Sequence, residues 1–199
     1  MAGTLPIVPL PRQALDPNGR VRHWYENELG WATVPGEPVR LVVGRRFDVL
    51  DVPAEAGRAA LRHLGPGSPV AAQGDRMRLL VAAGSAEELS GLLDWLEWGA
   101  LTLDLVALGA DTLMDAPPPP RAGSAGARPL PLGRFGSQGA AVWVRPPEPG
   151  CEVEASLPTL SAVGGGGGAP DLVRLVDTVA TQCHRVRLRR ASAQPLAFS

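Results

Sequence analysis

The sequence of 199 residues contains no lysine, so all 19 of its basic residues are arginines. Only 5% of the residues are aromatic, and only two are cysteines, Cys151 and Cys183. The cysteines form no C-x-x-C pair and no histidines cluster with them, which argues against a structural zinc site. We therefore expect two unpaired thiols, as is usual in a reducing cytosol.

The sequence also lacks the signals of a membrane or secreted protein. No apolar run approaches the ~18 residues that a membrane span requires, and the first residues do not follow the pattern of a signal peptide. We expect a cytoplasmic protein with no membrane partner. The formal net charge of -1 argues against a protein that coats nucleic acid non-specifically, because such binding depends on neutralising phosphates.

Hydrophobic periodicity predicts an α+β fold with a mostly antiparallel sheet and flanking helices. Alternating apolar residues predict strands over 31–34, 39–44, 47–52, 69–72, 77–82, 101–108 and 140–147. Helices are predicted around 24–29, from Pro53 to Gly65 and over Ser85–Trp98. In the last of these, Ser85 and Glu88 form a capping box and Gly99 ends the helix.

The composition predicts three segments. Residues 1–20 are proline-rich and predict an extended arm, and residues 21–163 form the domain, with a long loop over 121–139. Residues 164–199 comprise a glycine linker, a helix and a basic tail. The helix, over 170–184, has one apolar face and is expected to be tethered to the domain; that face contains Leu172, Leu175, Val176 and Val179.

Two aspartates in "RRFDVLDVPAEAG" suggest a metal site at first sight. Side chains at i and i+2 share a face of a strand, whereas those at i and i+3 point to opposite faces. Asp48 and Asp51 are three residues apart, so they do not converge on one ion, and Pro53 occupies the position that shares the face of Asp51. Asp51 is instead expected to cap the helix that starts at Pro53.

Four stretches occur in an order that resembles a known enzyme family: "GRRFDVLDVPAEAG", "GDRMRLLV", "LTLDLVALGADTLMDAPPP" and "AAVWVRPP". This order is similar to the N-terminal domain of bacterial bifunctional DNA primase/polymerases, of the archaeo-eukaryotic primase type, in a degenerate, actinobacterial-like form. The resemblance covers approximately residues 24–160, and its closing proline-rich turn matches residues 116–119. It implies a primase–polymerase-like fold.

The resemblance also implies which residues would form the active site. The family's first motif is Asp-x-Asp, of which Asp51 matches the first member and Pro53 replaces the second. Met77 stands where the family has a histidine that contacts nucleotide phosphate, and Asp104 is the best match for a late carboxylate on a strand. Two-metal phosphoryl transfer requires converging carboxylates, so the residues favour loss of catalysis, with no metal or other cofactor. Asp51 and Asp104 are at most weak ligands for Mg²⁺.

These observations predict a catalytically inactive primase/polymerase-like domain that regulates or binds another protein, or self-associates. Trp95, Trp98 and the apolar face of the C-terminal helix are the partner-binding candidates. One alternative is a residual metal-dependent nucleotidyltransferase that would use Mg²⁺. A second is a non-catalytic binder of nucleic acid or nucleotides, in which Arg76 and Arg78 bind the anion.

Overall fold

The computed structural model describes residues 17–120, 139–160 and 170–192. Within these ranges the chain forms an α+β fold with two antiparallel sheets and four α-helices. The strands are β1 (Thr33–Val34), β2 (Arg40–Val42), β3 (Asp48–Pro53), β4 (Val70–Gln73), β5 (Arg76–Val81), β6 (Val106–Leu108), β7 (Leu113–Asp115) and β8 (Val142–Arg145). The helices are α1 (Pro17–His23), α2 (Ala54–Ala60), α3 (Ser85–Trp95) and α4 (Leu172–Ser192).

The larger sheet forms the middle layer. Its five strands are ordered β6-β3-β5-β4-β8, and the smaller sheet is ordered β1-β2-β7. Alternation along β3 builds one core on each face of the larger sheet: Leu50 and Val52 pack with α2, α3 and α4, whereas Val49 packs with the smaller sheet. Asp48 therefore points toward the helices and Asp51 toward the other face, as their spacing predicts.

Helix α4 is part of the core, and the prediction of a separate, tethered helix is wrong in this respect. Leu172, Leu175, Val176 and Val179 are all almost fully buried against the same cluster as α2 and β5. The four side chains consequently do not form a free docking surface in this fold.

Several predicted boundaries also change. The basic segment after residue 184 continues α4 as far as Ser192, and residues 17–20 of the predicted arm are helical. Strand β7 was not predicted as a strand. The rest of the predicted arm, residues 1–16, and the predicted loop over 121–138 lie outside the described residues. None of the helices in the described ranges is long and apolar enough to span a membrane.

The predicted capping box of α3 does not form. Ser85 is the first residue of α3 rather than its cap. The cap position belongs to Gly84, which has no side chain that could bond to the helix N-terminus. The helix ends at Trp95 instead of Trp98, because Glu97 adopts a left-handed conformation with φ of 64° and Trp98 N donates to Leu93 O at 2.8 Å. This turn places Trp98 beside α4.

Candidate functional site

Asp51 lies at the centre of a network of charged side chains. Its position on β3 is directly opposite Arg78 on β5, and Arg76 lies two residues along the same face of β5. Asp51 Oδ1 accepts from Arg76 Nε at 2.6 Å, and Asp51 Oδ2 accepts from Arg78 Nε at 3.1 Å. Both carboxylate oxygens are thus already bonded to guanidinium groups. The role predicted for Asp51, capping α2, is wrong, since no side chain caps that helix.

Asp104 joins the same network from outside the sheet. Arg76 Nη1 donates to Asp104 Oδ1, so that one guanidinium bridges the two carboxylates. Arg190 on α4 contacts the other oxygen of Asp104 at 3.6 Å. Burial by itself would lower the pKa of Arg76, but its hydrogen bonds to Asp51 and Asp104 outweigh that effect and raise its pKa.

The prediction that Asp104 lies on a strand is wrong. The regular strand begins only at Val106, and α4 binds the preceding backbone instead of a neighbouring strand. Arg187 Nη1 donates a hydrogen bond to Thr102 O at 2.7 Å, and the Cys183 thiol donates one to Asp104 O at 3.5 Å. Side chains of α4 thereby satisfy carbonyl groups that a β-ladder would otherwise use.

Met77 does not belong to this site. It is fully buried on the helical face of the larger sheet, whereas Asp51 lies on the opposite face. A Cβ added to Gly57 of α2 would lie 2.5 Å from Met77 Sδ, so the methionine fills the space that the glycine leaves open. The positions that share the face of Asp51 across β5 are those of Arg76 and Arg78. Pro53 pairs with Arg76 at the end of β3 and offers no ligand atom.

Asp48 has the role that was predicted for Asp51, but at a different helix. It is only 1% exposed, and its Oδ2 accepts from the backbone N–H of Ala86 at 2.8 Å, in the first turn of α3. Its Oδ1 has no hydrogen-bond partner among the described residues. Burial raises the pKa of the Asp48 carboxyl, and the hydrogen bond from the backbone of Ala86 opposes the shift. This carboxylate is therefore a structural cap.

The two candidate tryptophans differ in exposure. Trp95 is 72% exposed at the end of α3. Trp98 is half-buried against α4, where its Nε1 donates to Asp177 Oδ1 at 3.0 Å and its ring centroid lies 6.1 Å from that of His184. Trp95 is thus the one of the pair that remains available to a partner.

Sequence reasoning missed the contribution of α4 to this region. Arg187 and Arg190 fall in the segment that was predicted to be a basic tail, yet both reach the stretch that contains Asp104. Their spacing of three residues was the available signal, because it places two side chains on one face of a helix. Within the described ranges, no group of three or more histidine, cysteine or acidic side chains is arranged to hold a metal ion.

Comparison with known proteins gave no match to any family model, to any curated protein or to any solved structure.

Proposed function

We propose that this chain is a non-catalytic primase/polymerase-like domain that acts as a regulatory, protein-binding module. The observation that carries the proposal is the set of hydrogen bonds that Asp51 accepts, since Asp51 matches the family's first metal ligand. Two guanidinium groups occupy its carboxylate, and the position two residues further along its face is Pro53.

Electrostatics supports the loss of two-metal chemistry. A divalent cation at Asp51 would have to displace Arg76 or Arg78, and it would lie beside the positive charge of whichever arginine remained. Two-metal catalysis requires carboxylates that converge on both ions. Here the next carboxylate, Asp104, is held by Arg76 and faces Arg190. Arginines already neutralise both carboxylates without any ion.

The most exposed large apolar side chain in the described residues supports the binding role. Trp95 is 72% exposed, and Leu101, in the segment that follows α3, is 39% exposed. Tryptophan is among the residues most enriched at the energetic centres of protein interfaces, and a side chain of its size is seldom left so open to water. We place the partner-binding surface around Trp95 and Leu101.

The catalytic half of the proposal is tested by nucleotide incorporation. Purified protein is incubated with a primed and an unprimed template, deoxynucleotides, and Mg²⁺ or Mn²⁺, beside the Asp51→Asn variant. We expect the same background for both proteins. Metal-dependent incorporation that Asp51→Asn abolishes while its circular dichroism shows it to be folded would establish the residual nucleotidyltransferase instead.

The binding half is tested by site-specific photo-crosslinking. A benzophenone amino acid replaces Trp95 in one protein and Ser90, which is also exposed on α3, in the matched control. We expect a discrete product from position 95 and none from position 90, with mass spectrometry identifying the partner or a second copy. Equal labelling from both positions, or none from either, would contradict a specific surface at Trp95.

A further inference from the structure

A groove of about 450 Å³ lies between α4 and the stretch that leads into β6. One wall is the backbone and side chains of Thr102, Leu103 and Asp104; the other is α4, with Arg187 and Arg190 at the rim. Its apolar lining comes from Leu103, Cys183, Val186 and Ala191. The volume falls within the range of small-molecule sites in proteins.

The charges around this groove do not cancel. Arg76, Arg78 and Arg190 form ion pairs with Asp51 and Asp104, the only carboxylates of this network in the described residues, and Arg187 adds a fourth guanidinium group to the lining of the groove. The formal surplus is two positive charges. Arg187 donates to the carbonyl of Thr102 and has no carboxylate within 4.0 Å among the described residues.

The lining of the groove adds no negative charge that would neutralise this surplus. Burial raises the pKa of Cys183 to about 11, with a smaller contribution from Asp104, so the thiol is uncharged at neutral pH. Asp104 is the one carboxylate in the groove, and Arg76 holds its Oδ1 while Arg190 faces its Oδ2. Arg190, one of the two arginines that line the groove, thus already faces an oxyanion at 3.6 Å.

We propose that the groove binds an organic phosphate monoester, with the phosphate between Arg187 and Arg190 and the organic part against Leu103 and Val186. The planar guanidinium fork matches the geometry of phosphate oxygens and gives short, charge-assisted hydrogen bonds. The apolar walls favour a ligand that carries a hydrophobic body over a bare inorganic ion. This site is separate from the surface around Trp95 and does not depend on the loss of catalysis.

The chain offers a matched control for this site. Arg185 lies on the same helix and is exposed, and it has no carboxylate within 4.0 Å among the described residues. It lines a different groove, together with Glu55 and Gln182. Removing its charge changes the charge of α4 as much as removing that of Arg187, but it does not touch the proposed site.

The test is calorimetric titration of the full chain with phenyl phosphate, inorganic phosphate and phenol at constant ionic strength. We expect saturable binding of phenyl phosphate, weaker binding of inorganic phosphate and no binding of phenol. Arg187→Gln and Arg190→Gln should each raise the dissociation constant of phenyl phosphate about tenfold, whereas Arg185→Gln should change this constant less than about twofold. Asp104→Asn removes the competing carboxylate and should therefore lower the dissociation constant of phenyl phosphate.

Two outcomes would overturn the site. The first is the absence of saturable binding up to millimolar phenyl phosphate. The second is an equal effect of Arg185→Gln and Arg187→Gln, which would show diffuse attraction to the basic half of α4. Circular dichroism of each variant verifies its fold, which we expect to be intact because Arg185, Arg187 and Arg190 are exposed.

Discussion

Asp51 and Arg76 lie on neighbouring strands, and Asp51 Oδ1 is 2.6 Å from Arg76 Nε. Arg76 Nη2 also donates to the backbone carbonyl of Asp51 at 2.8 Å. Arg76 therefore holds both the side chain and the main chain of the residue that the family resemblance would assign to metal. The pair is stabilising because neither charge is left alone, and it occupies the place where a cation would have to bind.

Removing the charge of Asp51 should destabilise the fold. The side chains of Asp51 and Arg78 are only 14% and 15% exposed, so Asp51→Asn leaves two guanidinium groups with poor access to water. We expect a loss of about 2–4 kcal/mol in the free energy of unfolding, measured by urea denaturation. The control is Glu154→Gln, which breaks the exposed Arg46–Glu154 pair and should cost less than about 1 kcal/mol. Equal losses in the free energy of unfolding would show that the network around Asp51 stabilises the fold no more than an exposed ion pair does.

Asp48 should make stability fall as pH rises through the acidic range. Burial raises the pKa of Asp48 above its usual value of 3.8, so the folded state binds this proton more tightly than the unfolded state. The associated stability is present below pH 3.8 and is lost as pH rises through the raised pKa. Urea denaturation between pH 3 and pH 7 measures this dependence.

Asp48→Asn should flatten this part of the pH profile, because the amide keeps an acceptor for Ala86 N–H without a charge. Asp48→Ala removes both the cap and the titrating group, so its cost should be about 1–2 kcal/mol near pH 3 and should become smaller as pH rises. A profile of Asp48→Asn identical to that of the wild type would contradict our assignment of the titrating group.

Gly57→Ala should destabilise the contact between α2 and β5. The new Cβ would meet Met77 Sδ at 2.5 Å and Met77 Cβ at 2.7 Å, and Met77 is fully buried. We expect a cost of about 1–3 kcal/mol by thermal or urea denaturation. Adding Met77→Ala should make the double variant more stable than the sum of the two single effects predicts.

Gly91→Ala is the matched control. It lies within α3, and a Cβ there meets nothing within 4 Å. The substitution should stabilise the protein by about 0.5–1 kcal/mol through the higher helix propensity of alanine. If Gly57→Ala and Gly91→Ala change the free energy of unfolding equally, crowding at Met77 is not the cause of the effect of Gly57→Ala.

Leu175→Ala should be severe, because α4 belongs to the core. Leu175 is fully buried, and its truncation should cost about 2–5 kcal/mol. Leu188→Ala on the same helix is the control: Leu188 is 52% exposed, so the change should cost less than about 1 kcal/mol. Urea denaturation followed by circular dichroism measures both. A small effect of Leu175→Ala would restore the view of α4 as a loosely tethered helix.

The sequence predicted most of the larger sheet because alternation is a local property. β3 was predicted over 47–52 and observed over Asp48–Pro53, and the opposite orientations of Asp48 and Asp51 followed from the same periodicity. Strands β4 and β5 were also predicted, over 69–72 and 77–82, and the short turn between them sets the register that brings Ala71 opposite Arg78. The primase–polymerase-like assignment of this sheet stays a prediction.

The elements that α4 packs on and the residue that caps α3 were not predictable, because they come from distant parts of the chain. The apolar face of α4 has the same periodicity whether it packs on its own domain or on another protein. The cap of α3 comes from β3, which lies more than thirty residues earlier. Periodicity places a side chain on a face, but it does not identify what covers that face.

The packing of α4 on α2 has a kinetic consequence. The two helices lie more than a hundred residues apart in the chain, and both cover the same face of the larger sheet. Long loops must close before such contacts form, so folding should be slow for a domain of this size. Until α4 packs, the apolar face of β3, β4 and β5 is covered only in part, by α2 and α3, and the protein is most prone to aggregation during this interval.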